Sequence, residues 1–161
     1  MRVLIVSDTH GIETNFYEVL RQVGKIDFLI HAGDTSGSEL DIKASVDCDS
    51  KIVLGNNDFS RYLKYEEEFD LAGYHILLTH GHREGVYRGV DSLFYKAAER
   101  GADIVVFGHT HVPCVEYDED LNIYAVNPGS LTYPRQEGHR PSYILMNIDS
   151  NGDVNFDIKY L

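Results

Sequence analysis

The chain is short of basic residues, of cysteine and of proline, and it has no long apolar run. Against 26 Asp and Glu stand only 14 Lys and Arg, a formal net charge of -12. A broad nucleic-acid or anionic-membrane surface needs Lys and Arg to displace counterions, so both are excluded as partners. No stretch approaches the roughly 18 apolar residues of a membrane span, and the opening run Val3 to Val6 is too short for a secretory signal. The expectation is a soluble, cytoplasmic protein. Cys48 and Cys114 are far apart and form no CxxC pair, so no structural disulfide is expected. With only 4 Pro in 161 residues, 43% of them hydrophobic, and no repeat, linker or low-complexity segment, disorder is excluded too. The length suits a single domain, residues 1–161, that buries a real core.

The apolar segments that are present are short and alternate with amphipathic ones. Arg2 to Ser7, Asp27 to Ala32 and Lys51 to Leu54 read as buried strands. Between them lie a helix at Thr14 to Val23, with Phe16, Val19, Leu20 and Val23 on one face, and a weaker helical segment at Ser38 to Val46. This βαβαβ order predicts a parallel sheet. A strand at Tyr74 to Thr79, a helix at about Val90 to Arg100 and a strand at Asp103 to Phe107 continue the pattern. From Pro113 onward the chain reads as hairpins: Cys114 to Tyr117 with Ile123 to Val126, and Tyr143 to Ile148 with Val154 to Tyr160 around Ser150-Asn151-Gly152-Asp153. The run Glu66-Glu67-Glu68 reads as a solvated strand or loop.

Five predicted strands end alike, with an apolar run stopping at a small or polar residue and an Asp, Asn or His following. In open α/β sheets, ligands bind beyond the carboxyl ends of the strands. In Ser7-Asp8-Thr9-His10-Gly11, Asp8 and His10 would point to one side if the backbone stayed extended, and could share a metal. In Gly33-Asp34 the glycine permits a close approach, and Asp34 could bridge two metals with its two oxygens. Gly55-Asn56-Asn57-Asp58 offers the neutral amide oxygen of Asn56, with Asp58 placed to orient rather than to ligate. Thr79-His80-Gly81-His82 and Gly108-His109-Thr110-His111 add imidazoles. So many Asp and His gathered without a cation would repel or need pairing. Mixed N and O donors favour Mn, Fe, Ni, Co or Zn over Mg or Ca, with Mn the leading expectation, and the lack of thiolate disfavours a Cys-rich structural zinc site. Two divalent cations would also give an acidic chain a local positive field for a phosphate.

With these residues in order, the chain resembles the calcineurin-like metallophosphoesterases, whose pattern runs DxH, GD, GNxD, GH or TH, and GHTH. The match spans Asp8 to His111, and Asn127-Pro128-Gly129-Ser130 extends it. It looks most similar to the small bacterial and archaeal phosphodiesterase branch, which is related to a retromer scaffold subunit. The resemblance implies an α/β four-layer sandwich, two facing mixed β-sheets flanked by helices, with the metals at strand C-terminal ends. It implies one metal held by Asp8, His10, Asp34 and His111, and another by Asp34, Asn56, His80 and His109. The hairpin-rich C-terminal half suits the second sheet.

One departure bears on the reaction. Many members carry a His after the GN asparagine, acting as acid to the leaving group or stabilising the transition state, and here that place is Asn57. Asparagine delivers no proton, so diesters with good leaving groups are favoured, and His82 is the nearest alternative acid by sequence. The implied reaction is hydrolysis of a small phosphodiester by in-line attack of a metal-bridging hydroxide, with Asn56 also contacting a phosphate oxygen. A phosphomonoesterase or pyrophosphatase on the same site, or a retromer-subunit-like binding scaffold with a vestigial site, are the alternatives. Of the other residues, His31 reads as buried and hydrogen-bonded, His75 and His139 as surface positions, and Arg135 as a surface salt bridge sooner than a phosphate contact. Substrate walls fall to the loops His82 to Gly89 and Leu131 to Arg140, and room is left for a homo-oligomer.

Overall fold

The computed structural model describes residues 1–161. Alternation of apolar side chains decides the architecture. In β1 (Arg2–Val6) every residue from Val3 to Val6 is buried, so the strand needs cover on both faces. Val3 and Ile5 join one core cluster, while Leu4 and Val6 join another against the helix α1 (Thr14–Val23). The same split runs through β2 (Phe28–His31), whose parallel pairing with β1 and with β3 (Asp49–Ile52) follows from the crossovers α1 and α2 (Glu39–Ala44).

The second sheet begins with β4 (Glu66–Leu71) and β5 (Tyr74–Thr79), an antiparallel pair. A 3-10 turn at Val86–Arg88 and the helix α3 (Asp91–Arg100) lead to β6 (Ile104–Val106), parallel to β5. Then come β7 (Cys114–Asp118), β8 (Ile123–Asn127), β9 (Ser142–Ile148) and β10 (Val154–Tyr160). The two five-stranded sheets run β10-β9-β1-β2-β3 and β4-β5-β6-β8-β7. One core lies between them (Ile5, Ile30, Ile76, Ile104, Ile144), a second under α1 and α2, and a third under α3 (Leu93, Phe94, Leu77, Val105). The result is helix, sheet, sheet, helix.

Two expectations are corrected here. The C-terminal hairpins do not both build the second sheet: β7 and β8 do, but β9 and β10 return to the first sheet, where β9 pairs antiparallel with β1. β9 is buried along nearly its whole length, so it needs a strand on either side, the second sheet over one face (Ile144, Met146, Ile148) and the helical layer over the other (Tyr143, Leu145). Glu66-Glu67-Glu68 is not simply solvated either. It opens the edge strand β4, and each glutamate meets a cation: Lys96, Lys51 and Arg100 respectively. Cys48 and Cys114 are both free thiols. No helix is long and apolar enough to cross a membrane.

Candidate metal centre

Six strands of the two sheets run parallel to a neighbour, β1, β2 and β3 in one sheet and β5, β6 and β8 in the other. The loop after each carries a part of the site. Backbone bonds continue past the strand ends and fix the loops to one another: Asp8 N to Gly33 O at 3.0 Å, His10 N to Asp34 O at 2.9 Å, and Gly108 N to His80 O at 3.1 Å. Space between the loops is made by glycine. A Cβ on Gly55 would stand 2.0 Å from Asp34 Oδ1, and one on Gly108 2.2 Å from Ser7 Oγ. Gly33 passes so near its neighbours that a Cβ would meet Gly55 N and His80 Nδ1 at 2.8 Å.

The backbone does not stay extended through Asp8 and His10, contrary to the sequence expectation. Asp8 (φ 56°), His10 (φ 51°), Asp34 (φ 58°), His109 (φ 68°) and His111 (φ 60°) all adopt the left-handed region. Such φ values are uncommon for residues with a side chain and cluster at functional sites. The DxH and HxH spacing therefore brings its side chains together through paired left-handed residues rather than through strand pleat.

The side chains converge closely. Asp8 Oδ1 lies 3.0 Å from His111 Nε2, 3.8 Å from His10 Nε2 and 4.0 Å from His80 Nε2. Asp34 Oδ2 lies 3.5 Å from His80 Nε2 and 3.8 Å from His10 Nε2. Asn56 Oδ1 is 3.1 Å from His80 Nε2, and the His109 ring packs edge-on to the His80 ring at 5.1 Å. Two compact groups emerge, Asp8 with His10 and His111, and Asp8 with Asp34 and His80. Asp34 turns a single oxygen to the histidines of both groups, not two. Its Oδ1 accepts the Asn57 N–H at 2.8 Å, while the Asn57 amide donates to Oδ2 at 2.6 Å.

Hydrogen bonds on the far side of each ring show what the near side offers. His80 Nδ1 donates to Ala32 O at 2.6 Å, and His111 Nδ1 donates to Tyr133 O at 2.6 Å. In the neutral rings this leaves the Nε2 lone pairs facing Asp8 Oδ1, Asp34 Oδ2 and Asn56 Oδ1, which also carry only lone pairs. Asp8 Oδ1 is buried without a hydrogen-bond partner. Acceptors facing acceptors at this range need a positive charge among them, and far-side donation to a carbonyl is how metal-binding imidazoles are oriented. The residues thus fit divalent cations.

Electrostatics agree. Burial pushes an aspartate up, yet His111 and His80 hold the Asp8 carboxyl below its ordinary value, and His80 and Asn57 do so for Asp34. Burial pulls His80 down, but Asp34 and Asp8 outweigh it and raise it, so without a cation a proton takes the place between them. His109 is lowered to about 4 by burial and by His80, and His10 is lowered by burial. Both are kept in the neutral form that a metal requires.

The other predicted residues fall around this cluster. Asp58 accepts from Asp34 N and Gly55 N at 2.8 Å and from Thr35 Oγ1 and Ser36 N, so both its oxygens are taken up in holding the Asp34 and Gly55 loops together. His82 stands beside the cluster, its ring 5.4 Å from that of His80, with a buried Nδ1 that has no partner. Burial and then His80 lower its pKa. His31 is buried as expected, its Nδ1 accepting from Gly33 N at 3.2 Å. Arg135 makes no salt bridge. Its guanidinium donates to Tyr87 Oη, for no carboxylate stands within ion-pair reach.

The sequence assigns no role to several residues that support the cluster. Ser130 Oγ donates to Asp8 O at 2.9 Å, and Asn127 Nδ2 donates to Gly108 O at 2.9 Å. Their motif, Asn-Pro-Gly-Ser, was the available signal. Tyr87 and Tyr133 lie in the two segments expected to wall the substrate, but nothing in the sequence marks either tyrosine within them.

A helix-flanked pair of mixed sheets with clustered Asp, Asn and His at the strand ends defines a class, the metallohydrolase-like α/β sandwiches. Comparison with known proteins narrows it: residues 1–151 match the family model described as the calcineurin-like phosphoesterase superfamily domain, and the chain belongs to that family. It is 34% identical over 152 residues to a probable metallophosphoesterase of Bacillus subtilis, covering 94% of this chain and 86% of that protein. It is 32% identical over 161 residues to the vacuolar protein sorting-associated protein 29 of Schizosaccharomyces pombe, covering 92% and 85%. Among solved structures it superposes with a TM-score of 0.82 and 30% identity on a predicted phosphoesterase of Streptococcus pneumoniae, covering 99% and 88%.

Proposed function

We propose that the protein is a metal-dependent phosphodiesterase working with two divalent cations, Mn foremost among Mn, Fe, Ni, Co and Zn. The observation that carries this reading is the convergence of His80 and His111 Nε2 on Asp8 Oδ1, Asp34 Oδ2 and Asn56 Oδ1, with Asp8 Oδ1 buried and unpartnered and each ring's Nδ1 donating away to a carbonyl. Asp8, His10, Asp34 and His111 would hold one cation and Asp34, Asn56, His80 and His109 the other. When bound, the cations would supply Lewis acidity, lowering the pKa of a water and offsetting charge on the phosphoryl group.

The chain's own residues do the rest. Ala32 O and Tyr133 O hold the His80 and His111 rings in the tautomer that presents Nε2. Asp58 and Asn57 fix Asp34 from behind. Asn57 cannot protonate a leaving group, and both its backbone and side-chain N–H are committed to Asp34. His82 is the one ring beside the cluster with a free nitrogen, but burial disfavours its cationic form, so it is a weak source of protons at neutral pH. Esters that leave without prior protonation, activated diesters above all, are therefore the favoured substrates over unactivated monoesters.

Excess chelator is expected to abolish hydrolysis of bis(p-nitrophenyl) phosphate and added Mn to restore it, with p-nitrophenyl phosphate turned over more slowly. Full turnover in chelator would overturn the metal reading, and a faster monoester would overturn the diester preference. The similarity to a sorting-associated protein supports a second reading, a binding scaffold. Purified protein without bound metal and without affinity for Mn would favour it.

A further inference from the structure

None of the seven candidate donors lines a concave pocket, and Asp8, Asp34, His80 and His111 are buried beneath the loops that carry them. What a substrate meets beyond the metals must therefore come from the rim. Two loops meet there. Arg135 N donates to His111 O at 3.0 Å, which ties the start of its side chain to the donor loop itself. The guanidinium then reaches Tyr87 Oη, and Tyr87 Oη donates in turn to His109 O at 3.1 Å. The Tyr87 ring stands edge-on to the His109 ring at 4.8 Å, and the residue remains 61% exposed. Gly85 (φ 69°) and Gly89 (φ 120°) bracket the 3-10 turn that carries it.

Arg135 thus passes from His111 to Tyr87 across the backbone of both candidate donors of the last motif. In a chain with twelve excess negative charges it has no carboxylate partner. A tyrosine hydroxyl uses one of its five N–H donors and neutralises none of its charge. On the other flank Tyr133, also exposed, sets its ring edge-on to His10 at 5.2 Å. The cluster is flanked by two exposed tyrosine rings, with a guanidinium lacking a carboxylate partner beside one of them.

We propose that Arg135, posted by Tyr87 on the His109 flank of the cluster, binds the substrate phosphoryl group, and that the Tyr87 ring receives a planar group attached to it. The substrate class is then nucleotide phosphodiesters. Arginine matches phosphate oxygens with a planar fork, and base-on-aromatic stacking tolerates any base. Arg135 is a substrate-contacting residue, whereas Tyr87 both stacks and positions Arg135. This rests on the metal-site reading above.

Binding and turnover separate the two. With Mn-loaded protein, calorimetry should find adenosine 5′-monophosphate bound more tightly than inorganic phosphate. Arg135→Gln should weaken both by about tenfold or more. Tyr87→Phe keeps the ring and should weaken both by a few fold, while Tyr87→Ala should also remove the nucleotide's advantage over phosphate. Both side chains are exposed, and unchanged melting would show the variants folded. A wild type that binds neither probe, or Arg135→Gln binding both as tightly as wild type, overturns the proposal. Hydrolysis of bis(p-nitrophenyl) phosphate that vanishes in chelator, in the same preparations, reports separately on the metal-site reading.

Discussion

At the scale of single residues, the tightest demand falls on Gly55. With Asp34 Oδ1 only 2.0 Å from where a Cβ would stand, Gly55→Ala must push the Asp34 carboxylate away from His80 and break its bond from Asn57 N. We expect at least tenfold weaker Mn binding, measured by calorimetry, and a melting point lowered by several degrees, for a cost of about 1–3 kcal/mol. His31 sets a second test. Its Nδ1 accepts from Gly33 N and it is wholly buried, so burial lowers its pKa to about 4, against 6.5 in an unfolded chain. Between those values the unfolded state takes up a proton that the folded state refuses. Stability should therefore fall as pH drops from 6.5 to 4, by the order of 3 kcal/mol from this residue. Denaturant melts across that range should show a shallower slope for His31→Gln than for wild type; equal slopes would assign the effect elsewhere. The residues that converge in the candidate site, and their spacing, were legible in the sequence. The left-handed backbone at five of them was not, because Asp and His carry no mark of a conformation that tertiary contacts impose on them.

At the scale of elements, strand and helix order could be read from apolar periodicity, since buried runs such as Ile104–Val106 leave few alternatives. Ends shifted by a residue or two, as in β3, which runs Asp49–Ile52 rather than 51–54. Sheet membership was harder. Nothing local tells β9 that it belongs beside β1; that follows from which edge is left open after β1, β2 and β3 have paired. Ion pairs between elements were equally hidden. Lys96 on α3 reaches Glu66 on β4 and, at 2.7 Å, the buried Glu84 of the loop between β5 and the 3-10 turn. Lys96→Met should leave Glu84 buried and unpaired at a cost of about 2 kcal/mol or more, seen as a lower midpoint in denaturant. If the loop bearing His82 and Tyr87 depends on that clamp, KM should rise in the same variant at temperatures where it remains folded.

At the scale of the molecule, three short donor loops follow strands of one sheet (Asp8, Asp34, Asn56) and two follow strands of the other (His80, and His109 with His111). Neither sheet alone holds the set. The time course of folding should bear this out. Until the inter-sheet core of Ile5, Ile30, Ile76 and Ile104 has closed, no complete ligand cage exists for an ion to enter. Mn should thus leave the refolding rate nearly unchanged and slow unfolding, by about tenfold for each 1.4 kcal/mol of binding energy absent from the transition state. Stopped-flow chevrons with and without Mn would show it in one limb only. The ion would act as a latch closed after assembly rather than a seed around which the chain collects.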